Sequence, residues 1–324
     1  MTSSFIEPLV EAAQWALRAP SVANTQPWRW RLTRGVLELY ADRDRQLAVS
    51  DPDGRLLTIS CGAALHHARL ALAAAGHQAT VDRFPDPGRP DLLARIHLTG
   101  PHEPSVQEIA LCGAVPLRRT DRRAFGESPV PDAAVDHLRE VVEAEGAFLH
   151  VVHPSQMPML AVATMHAGDE ELADPAYRQE LHRWTHRPAW TGDGVPPATA
   201  VRPAPRRVPM RDYTGGAEAG LDAGPGDDHG ASYTILFGRD DRPDAWLRAG
   251  EALSALLLAA VLDRLSAAPL SDVVEATWPR QLLRDLLAGV GEPYLVVRIG
   301  IGPDADDLPP SPRREPQDVI EIAD

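Results

Sequence analysis

The chain has 324 residues, 44% of them hydrophobic, with a formal net charge of −14 and 32 basic residues, all of them arginine. The acidic balance argues against a general binder of nucleic acid or anionic membrane. Without lysine, any anion site must be built from arginines and backbone N–H groups, and a catalytic lysine is excluded; the plainer origin of the bias is a GC-rich genome.

The first predicted helix covers residues 5–18. An uncharged loop follows, APSVANTQPW (19–28), with two prolines, a serine, an asparagine and a glutamine, and WRWRLTRGVLELY (28–40) reads as one or two strands. Residues 51–76 contain a helix that is apolar on nearly every face, which belongs in the middle of a structure. A strand is expected in 91–101. The stretch LRRTDRRAFGESPVP (117–131) carries four arginines in six residues and leads into a helix over 129–146, with a strand at 147–152. Residues 187–230 are dense in Pro and Gly and have no apolar period, so they are expected to be a lid, a binding loop or a disordered linker. Trp190, Met210 and Tyr213 give this segment side chains to bury, which favours an ordered lid. A strand at 231–238, a second all-apolar helix within 240–265, a helix at 279–289 and a strand at 293–303 complete the pattern. SPRREPQDVIE (311–321) closes it with Arg313 and Arg314 between prolines.

Two stretches mirror each other. Each central helix opens on small residues (GAAL, GEAL) and is followed by a strand ending in Gly-Pro. This implies a diverged internal repeat with two central helices packed together inside one chain. The mixture of helices and strands lacks a regular βαβ alternation, so the expected class is α+β. The halves are expected at 1–105 and 115–324, the second carrying the 187–230 insertion.

The arginine stretch, with Thr120 among its guanidinium groups, suits a phosphate, because the guanidinium fork matches phosphate oxygens; a solvated charge run is the plainer alternative. Cys61 and Cys112 stand in unrelated contexts and imply neither a disulfide framework nor a metal site. His182 and His186, four apart, lack a third ligand, and no metal is expected. The beginning MTSSFIEPLV has no basic start or apolar core, and the apolar run at 252–262 is too short to span a bilayer, so the expectation is a soluble cytoplasmic protein with no membrane or nucleic-acid partner.

APSVANTQPW resembles the flavin-contacting loop of the nitroreductase superfamily. RRTDRRAF resembles that superfamily's Arg-Arg-Ser phosphate motif, with Thr in place of Ser and one extra residue before Phe, and PRREP resembles its C-terminal basic contact. The loop in the first half, the arginine motif at the start of the second, the repeat and the insertion together resemble the Acg family of actinobacterial, single-chain, pseudo-dimeric nitroreductase-like proteins. The resemblance implies one FMN per chain. Pro20, Ser21, Asn24 and Gln26 would touch its ring or ribityl chain. Arg118, Arg119, Thr120 and Arg122, with Arg313 and Arg314, would hold its phosphate. The loop after the second central helix, SAAPLSDVVE (266–275), offers Leu270 and Ser271 near the ring. Chemistry would take place on the flavin, with no catalytic side chain identified. Two functions are implied: NAD(P)H-dependent reduction of a nitroaromatic or quinone-like small molecule, or sequestration of FMN beneath a lid that excludes NAD(P)H. The chain is expected to be a monomeric pseudo-dimer.

Overall fold

The computed structural model describes residues 3–323 other than 215, 217, 225 and 304–307. Its first half runs α1 (Ser3–Ala16), β1 (Trp28–Thr33), β2 (Val36–Ala41), α2 (Arg55–Ala74), β3 (His77–Arg83) and β4 (Leu92–Pro101), and α3 (Val106–Ala114) leads out of it. The second comprises α4 (Asp132–Ala144), β5 (Phe148–Val151), α5 (Met157–Ala173), α6 (Pro175–Thr185), β6 (Ser232–Gly238), α7 (Pro243–Leu262), β7 (Ser266–Leu270), α8 (Asp272–Glu275), α9 (Thr277–Leu286), β8 (Glu292–Gly300) and β9 (Ile320–Ala323). The α+β expectation is met.

One sheet has the order β3-β4-β2-β1-β9 and the other β5-β6-β8-β7. Reading the second backwards gives β7-β8-β6-β5, which repeats β3-β4-β2-β1 strand for strand. Within each set every neighbouring pair is antiparallel. The exception is β9, which crosses over to lie parallel to β1, with Trp30 opposite Ile320.

Helices α2 and α7 stand where the sequence placed them, between the sheets. Helix α2 is buried almost continuously from Arg55 to Leu72, and its start is fixed by Asp51, whose carboxylate accepts from Leu56 N (3.0 Å) and Leu57 N (2.8 Å). The helices cross at Gly62 and Gly250. A Cβ added to Gly62 would lie 2.9 Å from the Gly250 Cα and against the Leu247 carbonyl; one added to Gly250 would lie 2.8 Å from the Gly62 Cα and against the Ile59 carbonyl. The contact is reciprocal, with a carbonyl three residues earlier on each helix. One turn further on, His66 Nδ1 meets Ser254 Oγ at 2.8 Å. At 20 residues each, α2 and α7 are long and apolar enough to cross a membrane, contrary to the estimate from the 252–262 run. The apolar windows are 89% and 72% buried inside the protein, so here they serve as core.

Candidate functional site

The uncharged loop owes its shape to strained backbone. Ala23, Asn24 and Gln26 all adopt positive φ (45°, 53° and 49°), a region that costs a non-glycine residue about 1–2 kcal/mol. Hydrogen bonds hold it there. Ser21 Oγ accepts from Gln26 N (2.9 Å), and Ser60 Oγ on α2 accepts from Val22 N (3.2 Å). This curl turns Pro20 and Ser21 toward the seam between the two central helices.

The arginine stretch reaches the same seam from the other half. Its backbone is held by a group the sequence did not single out, Arg298 on β8, which is fully buried. Arg298 donates to the carbonyls of Asp121 and Arg123 (both 2.8 Å), lies over the Phe125 ring at 3.9 Å, and pairs with Asp228 (2.7 and 2.8 Å). Asp228 in turn accepts from Phe125 N (2.8 Å). Thus one buried ion pair, with both Nη groups of Arg298 hydrogen-bonded, shapes the loop that carries Arg118, Arg119, Thr120 and Arg122.

Among the described residues, Arg18, Arg118, Arg119, Arg122 and Arg313 have no carboxylate within 4 Å, in a chain with fourteen more negative than positive charges. Arg118 is 5% exposed and its Nε has no hydrogen-bond partner. Burial, then the charges of Arg119 and Arg122, push Arg118 down to about 10. Burial, then Arg118, Arg119 and Arg18, push Arg313 down to about 9. Every charged neighbour acting on these two groups is another cation. Uncompensated buried charge of this kind is costly unless an anion joins it.

A slot lies beside this cluster, lined by Pro20 and Ser21 from the loop, Thr120 and Arg122 from the arginine stretch, Ser271 after β7 and Tyr213 from the insertion. Leu56, Ile59 and Ser60 of α2, Leu253 of α7 and Leu295 of β8 complete its walls. It is a partly open cleft of about 560 Å³, counting its solvent-filled mouth. A mostly apolar slot with hydroxyls and Arg122 on its walls, and Arg118 3.5 Å from the wall residue Thr120, suits a planar heterocycle bearing an anionic tail. Residues as far apart in sequence as Pro20 and Leu295 meet here.

No family model matches the chain. It is 40% identical over 310 residues to "Putative NAD(P)H nitroreductase Rv3131" of Mycobacterium tuberculosis, covering 94% of this chain and 89% of that one. It is 36% identical over 312 residues to "Putative NAD(P)H nitroreductase acg" of the same organism, covering 95% and 93%. The chain belongs to the Acg family of nitroreductase-like proteins. Among solved structures it is similar to the FMN-dependent nitroreductase NfnB of Mycobacterium smegmatis in complex with NADPH, at a TM-score of 0.41 and 15% identity over 66% of this chain and 98% of that one.

Several residues that the family resemblance assigns to a ligand are otherwise engaged. Asn24 donates to the carbonyls of Gly194 (2.9 Å) and Pro312 (3.1 Å) and accepts from Arg313 Nη1 (2.9 Å). Gln26 donates to the Gly192 carbonyl (2.8 Å) and accepts from Arg314 N (3.0 Å). Their amides therefore lock the loop to the insertion and to the C-terminal arm rather than face the slot. Arg314 donates to the carbonyls of Gln26 (3.3 Å) and Asp318 (3.1 Å) and lies 3.7 Å from Asp42, so it belongs to that lock and not to the unpaired cluster. Leu270 sits on strand β7, not in a loop. Successive strand residues face opposite ways, so Pro269 and Ser271 line the slot while Leu270 packs into the core. Trp190 is 86% exposed and buries nothing. Met210 packs on the second-half core beside Arg206 Nη1, away from the slot. Of the three side chains expected to bury the insertion against a ligand, only Tyr213 reaches the slot, where Arg122 stacks on its ring at 4.4 Å.

Beyond Arg298 and Asp228, sequence reasoning missed Arg18 at the end of α1, which adds its charge to the cluster, and Asp193, which anchors the insertion through Arg187 (2.7 Å), Thr191 (2.6 Å) and Arg45. No sequence signal marks Arg298 within the apolar run PYLVVRIGIG except that an arginine in a fully buried strand requires a partner. Among the described residues there is no cluster of three or more potential metal ligands.

Proposed function

We propose that the chain is an FMN-dependent oxidoreductase that takes electrons from NAD(P)H and passes them to a nitroaromatic or quinone-like acceptor. The observation that carries this is the set of carboxylate-free arginines beside a mostly apolar slot. The 40% identity to a relative named as an NAD(P)H nitroreductase supports the reaction class. Arg118, Arg119 and Arg313, joined by Arg18, would hold the FMN phosphate. Pro20, Ser21, Thr120 and Ser271 would border the ring, and the apolar side chains of α2, α7 and β8 would exclude water from it. Bound FMN supplies the capacity to accept and donate a hydride; the protein supplies orientation and electrostatics. The repeated strand order and the reciprocal Gly62–Gly250 crossing support a single-chain pseudo-dimer with halves at 1–105 and 115–324. Only the first half has the curled loop, while α4 turns directly into β5, which supports one cofactor per chain. Residues 187–230 would act as a cover over the slot edge through Tyr213, and the protein would work in the cytoplasm.

The test is an absorbance spectrum of the purified chain, followed by NADPH in the same anaerobic cuvette. Flavin bands at one equivalent per chain that bleach with NADPH are expected. A spectrum without flavin bands, even after FMN is added, would overturn the site. Bands that ignore NADPH but disappear with dithionite would overturn the reductase in favour of a sequestering protein.

A further inference from the structure

Beyond Tyr213 the insertion borders a second, partly open cavity of about 420 Å³, counting its solvent-filled mouth. Arg122, Arg202, Arg206, Arg211, Met210 and Tyr213 line it, and Arg122 and Tyr213 are also wall residues of the slot. The stacked Arg122–Tyr213 pair is thus a partition between two adjoining spaces. The one carboxylate on the cavity wall, Asp212, accepts from Thr214 N at 2.7 Å. Arg211 is drawn back by Glu171 and Glu275 (2.8 Å each), and Arg206 by Asp228 (3.6 Å). Arg122 has no carboxylate within 4 Å among the described residues. Arg202 has only Asp222, 3.8 Å away, and both of those side chains are largely exposed. Two arginines with free donors therefore face a small, partly open space, the donor chemistry that recognises a phosphate or a carboxylate.

We propose that this cavity seats an anionic substituent, a phosphate or a carboxylate, of the molecule that reacts at the slot, with Arg122 and Arg202 as its recognition pair and Tyr213 against its ring. The inference rests on the oxidoreductase reading for what occupies the slot. The anion has two possible bearers: the electron donor, through the phosphate that distinguishes NADPH from NADH, or an acceptor that is an aromatic acid.

The experiment is calorimetric titration of the FMN-loaded full chain with two matched pairs of probes. Adenosine 2′,5′-bisphosphate is compared with adenosine 5′-monophosphate, and 4-nitrobenzoate with 4-nitrobenzamide. At least one pair is expected to show the more anionic member bound about tenfold tighter or better, the usual scale for a charge-assisted contact. Arg202→Gln, a largely exposed position away from the slot, is expected to abolish that preference and leave FMN affinity unchanged. Preference within the nucleotide pair assigns the cavity to the donor, and preference within the nitroaromatic pair assigns it to the acceptor. No preference in either pair, or a preference that survives Arg202→Gln, overturns the proposal. A chain that fails to retain FMN overturns the oxidoreductase reading instead, and the same titrations on that chain still decide whether the cavity selects anions.

Discussion

Arg118 offers a test in which stability and binding move in opposite directions. Pushed down to about 10 by burial beside Arg119 and Arg122, its charged form is penalised by about 3 kcal/mol. The sign follows from the lowered value: the penalty is fully present at pH 7, and it is relieved only as the pH rises through about 10. Arg118→Met keeps most of the side-chain volume and removes the charge. Replacing a buried ion by an apolar group of similar size typically stabilises by about 1–4 kcal/mol, so the FMN-free variant is expected to be more stable than the FMN-free wild type by about 1–3 kcal/mol. Losing one charge-assisted contact to phosphate weakens binding by about ten- to a hundredfold. At an FMN concentration a hundred times the wild-type Kd, the ligand stabilises wild type by about 2.7 kcal/mol, and after a hundredfold loss of affinity by about 0.4 kcal/mol. Guanidinium denaturation of both proteins with and without FMN measures all four free energies. A variant that is less stable without FMN yet gains as much from it as wild type would refute the claim that Arg118 waits for an anion.

Three further outcomes are expected. Gly250→Ala inserts a Cβ into the helix crossing, where the nearest atoms are backbone of α2 that cannot rotate away, and should lower stability by about 1–3 kcal/mol after the gain of about 1 kcal/mol in helix propensity; denaturation measures it, and FMN affinity should fall as well because both helices form slot walls. Asp228→Asn leaves fully buried Arg298 without its counter-charge and should cost about 3–5 kcal/mol, with FMN binding lost together with the loop shape, read by denaturation and fluorescence titration. Burial raises the Asp51 carboxyl from 3.8 to about 7 despite two backbone donors. Its contribution to stability is therefore complete below about 3.8 and lost as the pH rises through about 7. The stability of wild type relative to Asp51→Asn should fall across that window, and a flat difference would contradict the assignment.

The parts of this protein that local pattern controls were legible from sequence. Helices α2 and α7 are apolar on all faces and could only be central. The loop announced itself by being uncharged between a helix and a strand, and four arginines in six residues marked the cationic end of the slot. What escaped was whatever depends on distant partners. Asn24 and Gln26 were read as ligand contacts because a free amide looks alike whether it awaits a ligand or a carbonyl 170 or 288 residues away. Strand β7 escaped because Ser-Ala-Ala-Pro-Leu has weak strand propensity and is held by β8 instead. Helix α5 escaped because Met159, Val162 and Met165 stay exposed and blur its apolar face.

The placement of β9 has a consequence for how the chain is made. Strand β1 ends at residue 33, yet the neighbour that completes its sheet edge spans residues 320–323. The C-terminal arm just before it supplies Arg313 and Arg314 to the loop that follows α1. On the ribosome the first half can therefore gather its helices and four of its strands early, but it must leave β1 unpaired on one side, and its strained loop without the Arg313 and Arg314 contacts, until residues 313–323 have been made. Residues 313–323 then close the structure begun by residues 3–33, so a chain made only as far as residue 312 exposes a sheet edge but has no finished binding site. Contacts of such long sequence separation form slowly, and a stop after residue 312 would remove the clasp from an otherwise assembled fold.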